Sequence, residues 1–186
     1  MDEPMIDDPA RDDLLILVDA RDREIGSAKK LEAHLEGRLH RAFSVILWRE
    51  GPDGVEVLLS RRALGKYHSG GLWANSCCSH PRIGETVLDA AARRTHEELG
   101  CGATGLVEIG TYCYRAAFDN GLVEYEYDHV LLGSFEGELA PDPSEVMDTR
   151  WVLADELTQE LAQDPERFSA WAPGVLAMAL AQLSRS

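Results

Sequence analysis

Residues 85–99, ETVLDAAARRTHEEL, constrain the fold more than any other stretch of the chain. Leu88, Ala91, Ala92, Thr95 and Leu99 fall at helical spacing and form an inner stripe, and Gly100 sits where a C-cap glycine would end the helix. Arg93, Arg94, Glu97 and Glu98 occupy the opposite side, with Arg94 and Glu98 one turn apart on a shared face. A one-sided helix needs a layer to lie on, and the sequence around it reads as strands. LLILVDARDREIGSAKK is a strand, a turn and a second short strand, and LEAHLEGRLH begins as a helix that Gly37 interrupts. RAFSVILW is strand by propensity, and EGPDGVEVLLSRR adds a Pro-Asp-Gly turn and another strand, giving a hairpin. Residues 63–84 are mostly loop, with a short strand at LWANSCC. LVEIGTYCYRAAF, the turn DNG and LVEYEYDHVLLGSF make a long hairpin. TRWVL is a further strand, and ADELTQELAQ and AWAPGVLAMALAQL close the chain as helices. Strands and helices mix without regular βαβ alternation, which predicts an α+β chain or an α/β/α sandwich.

The formal net charge of −15 disfavours nucleic acid and anionic membranes as partners, since both need a basic surface. No apolar run approaches the ~18 residues of a membrane span. Residues 1–24 hold nine acids and three bases. Residues 1–12 are expected to be an acidic, disordered lead-in, and residues 13–186 a single domain. Basic side chains gather in SRRALGKYH, residues 60–68, a pattern that suits a small anion held in a pocket or, alternatively, a solvated turn. The four cysteines, Cys77, Cys78, Cys101 and Cys113, form no C-x-x-C pair, and the N-terminus lacks the basic-then-apolar plan of an export signal. Reduced thiols in a cytoplasmic, monomeric protein are the expectation.

Five potential ligands stand apart from ordinary surface charge. HLEGRLH gives His34 and His40, CSHP gives His80, and VEYEYD gives Glu124 and Glu126. In a strand, positions 124 and 126 project to one face, about 6–7 Å apart, and two carboxylates there repel unless a cation or proton lies between them. Three histidines with two carboxylates suit a borderline divalent metal such as Zn²⁺ or Mn²⁺. Taken singly, a histidine is more often structural, and paired glutamates on a strand are more often a solvated face. The helix offers a second constellation, since Glu97 and Glu98 follow an arginine pair and have Glu85 upstream. Such a carboxylate face can hold Mg²⁺ against phosphate oxygens, or make helix-surface salt bridges. No G-x-S-x-G, Walker loop or Rossmann fingerprint is present. Cys78 is a reactive thiol if neighbouring charges lower its pKa, and otherwise a buried structural cysteine.

Residues 79–101, SHPRIGETVLDAAARRTHEELGC, resemble a Nudix box, G-x5-E-x7-R-E-U-x-E-E-x-G-U with U a bulky apolar residue. Ser79 stands at the first glycine, Glu85 at the first glutamate and Arg93 at the arginine, while Glu97, Glu98 and Gly100 fill the end. Arg94 replaces the glutamate that follows the arginine, which argues against simple pyrophosphohydrolysis. Both departures fit one branch, the type 1 isopentenyl-diphosphate Δ-isomerases. RLHRAFSV, LLSRRALGK, GLWANSCCSHP, RRTHEELG, YRA, VEYEYD and EVMDTRW resemble that family's landmarks in order, over roughly residues 10–175. One spacing departs: His34 and His40 are six apart where the family pattern has seven.

The resemblance implies a Nudix-type α/β/α sandwich with a mixed sheet, and an enzyme that interconverts isopentenyl and dimethylallyl diphosphate through a tertiary carbocation. It implies Cys78 on one face of the alkene and Glu126 on the other, with Tyr114 beside Glu126 and Trp171 stabilising the cation. His34, His40, His80, Glu124 and Glu126 are implied to hold Mn²⁺, Zn²⁺ or Mg²⁺. Arg62, Lys66 and Arg94 are implied to hold the diphosphate, with Mg²⁺ bridging from Glu98 and the Cys78 main-chain carbonyl. An alkene is a very weak base, and a thiol near pKa 8.5 is a poor acid for it. Glu126 with Tyr114 is therefore the expected proton donor at C4, and Cys78 the base at C2. A Nudix hydrolase of nucleoside diphosphate derivatives and a non-catalytic binding module are the rival readings, and neither uses Cys78.

Overall fold

Strand β3 (His40–Gly51) is apolar on both faces, and helices cover both. In this computed structural model the described residues are 13–185, so the expected acidic lead-in at residues 1–12 lies outside them. β1 (Leu14–Val18) and β2 (Glu24–Lys29) form a hairpin, followed by α1 (Lys30–Glu36). β3 runs into β4 (Gly54–Arg62) through the Pro52–Asp53 turn. Two short strands, β5 (Trp73–Ala74) and β6 (Cys77–Ser79), precede α2 (Val87–Leu99). β7 (Thr104–Ala117) and β8 (Val123–Ser134) make the long hairpin, and β9 (Val146–Leu153), α3 (Ala154–Gln163) and α4 (Ala172–Leu183) complete the order.

The sheet is mixed. β3 runs parallel to β8 from His40 opposite Glu126 to Trp48 opposite Ser134, and antiparallel to β1, β4 and β6. Alternation along β3 sorts its side chains: Phe43, Val45 and Leu47 meet α2, while Ile46 meets α3 and α4. Each fully buried aliphatic side chain in these two layers contributes about 1.5–3 kcal/mol, so the sandwich is fixed from both faces.

Helix α2 starts two residues later than the sequence suggests, with the Thr86 hydroxyl capping Asp89 N at 3.1 Å. Gly100 ends it in the left-handed region at φ 66°, where a Cβ would approach Ala140 O to 2.6 Å. Its buried arc corrects the expected stripe. Ala91, Thr95 and Leu99 are buried, but Leu88 is 47% exposed and Ala92 is exposed, and Ala90 and Glu98 take their places inside. The helix is rolled so that Glu98 points inward with Arg94, a polar contact that hydropathy does not register.

Candidate active site

One face of β8 changes character along its length. Glu124, Glu126 and Asp128 are followed on that face by Val130 and Leu132, which pack in the α4 layer. The carboxylates therefore form the polar end of an apolar layer, all three less than 10% exposed. Tyr114 lies opposite Glu126 in the β7–β8 ladder, its hydroxyl 2.6 Å from Glu126 Oε2 and 3.0 Å from Glu124 Oε2. Burial, aided by the charge of Glu126, pushes Glu124 up to about 8. Burial also acts to raise Glu126, but the His40 and His80 rings beside it outweigh burial and hold that carboxyl well below the usual range. The pair thus shares about one proton at neutral pH when no cation is present.

Histidines face these carboxylates. α1 carries His34, Gly37 turns the chain in the left-handed region at φ 62°, and His40 opens β3. The six-residue spacing still brings the two rings to 5.1 Å. His34 Nδ1 lies 2.6 Å from Lys30 O and His40 Nδ1 2.8 Å from Arg38 O. A carbonyl only accepts, so each Nδ1 carries the proton and each Nε2 presents a lone pair. Both Nε2 atoms are buried without a hydrogen-bond partner. His80 Nε2 is 2.9 Å from Glu126 Oε1 and His40 Nε2 is 3.5 Å from it. Burial lowers His34 to about 4 and His80 to about 3, so the rings stay neutral. Orphaned imidazole lone pairs aimed at an anionic pair are the donor set a divalent metal takes, and ligand atoms of His34, His40 and Glu126 lie within 4.8 Å of one another.

Cys78 sits on β6, on the opposite side of β3 from β8. Its Sγ donates to Asn75 Oδ1 at 2.9 Å. The Asn75 amide is fixed, because its Nδ2 donates to Val45 O at 3.1 Å and Cys77 O at 3.0 Å. Trp171 Nε1 donates to the same Oδ1 at 3.1 Å and to Cys78 Sγ at 3.0 Å. Burial, with Asp128 nearby, pushes the Cys78 thiol far up, so it holds its proton at rest.

Cations close the remaining side. Lys30, Arg62, Lys66 and Arg94 line one cavity with Cys78, Glu126, Tyr114 and Trp171. Arg62 lies 5.1 Å from the Trp171 ring centre. Burial and the neighbouring Lys66 charge lower Lys30, whose ammonium sits 4.8 Å over the Tyr67 ring. Arg94 Nη2 donates to Glu98 Oε1 at 2.5 Å, and Lys66 pairs with Glu145. The cavity is small, about 50 Å³. A roomier groove of about 500 Å³ lies elsewhere, between Leu153, Leu180 and Asp53, and gathers no acid–base pair.

Comparison with known proteins decides the family. The NUDIX domain model matches residues 38–172. The chain is 48% identical over 172 residues to the isopentenyl-diphosphate Delta-isomerase of Photobacterium profundum, covering 91% of this chain and 96% of that one. It is 52% identical over 165 residues to the enzyme of the same name from Streptomyces coelicolor, covering 88% and 81%. The chain belongs to the isopentenyl-diphosphate Delta-isomerases.

Solved structures agree on the fold alone. The Deinococcus radiodurans protein DR0079 superposes with a TM-score of 0.69 at 19% identity, over 91% of this chain and 98% of its own. The NUDIX domain of Shewanella oneidensis NrtR, crystallised with ADP ribose, superposes at 0.61 and 14%, over 78% and 87%. Within this isomerase family member, the fold gathers every residue that the sequence pattern singled out: His34, His40, His80, Glu124 and Glu126 on one side, Cys78 and Trp171 on another, and Arg62, Lys66, Arg94 and Glu98 at the mouth. It also adds four that sequence reasoning missed. Lys30 and Asn75 carry no sequence signal of their own, Glu145 opens the EVMDTRW stretch with nothing to set it apart there, and His68 reads as the tail of a basic run.

Proposed function

We propose that the chain interconverts isopentenyl and dimethylallyl diphosphate by placing a proton at C4 and removing one from C2 on the other face of the alkene. The observation that carries this is the placement of Cys78 and Glu126. Their strands flank β3 on either side, Cys78 opposite Ser44 and Glu126 opposite His40, and both side chains reach one cavity. The flat five-carbon chain would lie between them. Lys30, Arg62, Lys66 and Arg94 hold the diphosphate end, and their convergence explains a basic cluster in an acidic protein. The Trp171 ring faces the tertiary cation, and its burial among Tyr114 and Asn75 excludes the water that would trap it.

His34, His40, His80, Glu124 and Glu126 would hold a divalent ion, Mn²⁺, Zn²⁺ or Mg²⁺, whose charge would tune the acidity of the Glu126 carboxyl. Glu98 with the Cys78 main-chain carbonyl would hold Mg²⁺. Arg94 occupies Glu98 at rest, so a diphosphate that draws Arg94 away frees the carboxylate for Mg²⁺ at the same moment. The cavity is smaller than the substrate, so side chains of its lining, which includes Lys30 and Tyr67, must move for substrate to enter.

Acidity favours Glu126 and Tyr114 as the C4 donor and Cys78 as the C2 base, since a buried thiol is a weaker acid still. The fixed Asn75 favours the reverse, because it holds Cys78 as a thiol while Glu126 is ionised. The resting pattern is the isopentenyl-side state of the second assignment and the dimethylallyl-side state of the first. Proton and phosphorus NMR with isopentenyl diphosphate and Mg²⁺ in D₂O tests the reaction: two allylic methyl signals and an intact diphosphate are expected, and phosphate release or an unchanged alkene in metal-loaded protein defeats it. Cys78→Ser decides the direction. Loss of C2 exchange alone supports Cys78 as the base, and loss of deuterium uptake at C4 alone supports it as the acid.

A further inference from the structure

Four of the six histidines converge on the β8 carboxylates, one more than the three the sequence pattern accounts for. The fourth is His68, on the loop between β4 and β5, and it is 6% exposed. Its Nε2 lies 2.6 Å from Glu124 Oε1, yet that nitrogen has no partner with hydrogen-bond geometry. Two atoms so close without a usable hydrogen-bond angle are aimed past each other at a shared point. Ligand atoms of His34, His68 and Glu124 lie within 4.8 Å of one another, as do those of His34, His40 and Glu126, so His34 joins two halves of one donor cluster.

The loop is built to hold this ring. Ser69 takes the left-handed conformation at φ 54° without being glycine, a strain of the kind found where a side chain must be aimed. His68 Nδ1 lies 3.1 Å from Ser69 Oγ, which fixes the ring's outer edge. Arg62 Nη2 donates to His68 O at 3.2 Å, and Asn120 Nδ2 donates to Tyr67 O at 2.9 Å. Phe118 stacks on the imidazole with ring centres 4.5 Å apart at 13°. A loop pinned on both sides presents Nε2 inward to Glu124.

We infer that His68 is a fourth histidine ligand of this chain's divalent-metal centre, bound through Nε2 beside Glu124. This rests on the reading of the His34, His40 and His80 cluster as a metal site and extends it. A four-imidazole, two-carboxylate set favours nitrogen-seeking ions such as Zn²⁺ or Co²⁺ over Mg²⁺.

The test uses the full chain, stripped of metal and titrated with Co²⁺. Hyperfine-shifted, exchangeable imidazole N–H proton signals count the bound histidines directly. Four signals are expected from the unaltered chain, and three overturn the inference without any variant. His68→Gln is expected to lose one signal and to weaken Co²⁺ about 10–100-fold by chelator competition. Its metal-free thermal midpoint and far-ultraviolet circular dichroism report folding separately. Unchanged signals and affinity in His68→Gln, with loss in His40→Gln, reject His68 alone. Unchanged Co²⁺ binding in both variants rejects the metal reading itself.

Discussion

Two sets of carboxylates lie in this molecule and are neutralised in opposite ways. On α2 and just before it, Glu85 takes Arg93 Nε and Nη2 at 2.8 Å, Glu97 takes Arg94 Nη1 at 2.8 Å, and Glu98 takes Arg94 Nη2 at 2.5 Å. On β8, Glu124 and Glu126 face imidazoles and a phenol instead. The first set brings its own cations and is closed. The second set is crowded, buried and short of positive charge, so it draws a proton or a metal from outside. In the proposed function the Nudix box therefore serves as scaffold and diphosphate contact, with the acid–base chemistry on the strand.

The largest effect that contrast predicts is at Glu126. Glu126→Gln keeps the shape but removes the acid–base group, and kcat for isomerisation is expected to fall by about 10³-fold, read by NMR. An activity within tenfold of the unaltered enzyme breaks the assignment. Arg94→Glu comes next. It restores the glutamate of the general box but leaves two buried carboxylates facing each other, and a stability loss of about 3–5 kcal/mol is expected in urea titration. No nucleotide hydrolysis should appear, and its appearance would mean that the box retains a hydrolytic metal site.

Most of the fold is legible in the sequence because the strands are rich in branched and aromatic residues and turns carry their signals. Pro52–Asp53–Gly54 and Asp119–Asn120–Gly121 mark two of the hairpins, and Gly37 and Gly100 mark helix ends. What misleads is the rotation of α2. Leu88 reads as core by hydropathy, yet Glu98 decides which face turns in. The proposed metal and acid–base residues are legible through residue type and family pattern. His68 is not, because its inward aim depends on the backbone of Ser69 and the stacking of Phe118. Asn75 is not either, since an amide gains its role only once two carbonyls fix which way it points.

That fixed amide gives the third prediction. Asn75→Ala removes the acceptor shared by Cys78 and Trp171, and a misplaced thiol costs about 10²-fold in kcat, with KM little changed. A purely structural role would instead lower the thermal midpoint and leave kcat of the folded fraction intact. The fourth concerns pH in the metal-free protein. Burial depresses His34 to about 4 and His68 and His80 to about 3, so the folded state binds fewer protons than the unfolded one and stability is lost as pH falls from 6.5. Burial raises Glu124 to about 8, so its contribution is lost as pH rises from 4.5 through 8. Between pH 6.5 and 8 the histidines no longer contribute and the buried carboxyls held protonated act, Glu124 together with Asp128, so stability should fall as pH rises, by about 1.4 kcal/mol per unit for each such group. Added Zn²⁺ replaces the Glu124 proton and should flatten the alkaline limb in denaturant titrations. A metal-free profile already flat there would show that the β8 pair is neutralised from within, as the α2 set is.

The smallest effect is expected at Glu97, and it separates the two sets most sharply. Glu97 lies on the rim of α2 between Arg93 and Arg94, with its side chain 29% exposed. Arg93 is also held by Glu85 and Arg94 by Glu98, so each arginine keeps a partner when Glu97 is neutralised. Such a partly exposed pair is worth about 0–1 kcal/mol. Glu97→Gln should therefore leave the urea midpoint and the isomerisation rate almost unchanged, although it removes a glutamate of the general box. A metal-activated hydrolase would need that carboxylate for its ion. A loss of activity on the scale of Glu126→Gln would mean that the closed set is catalytic after all.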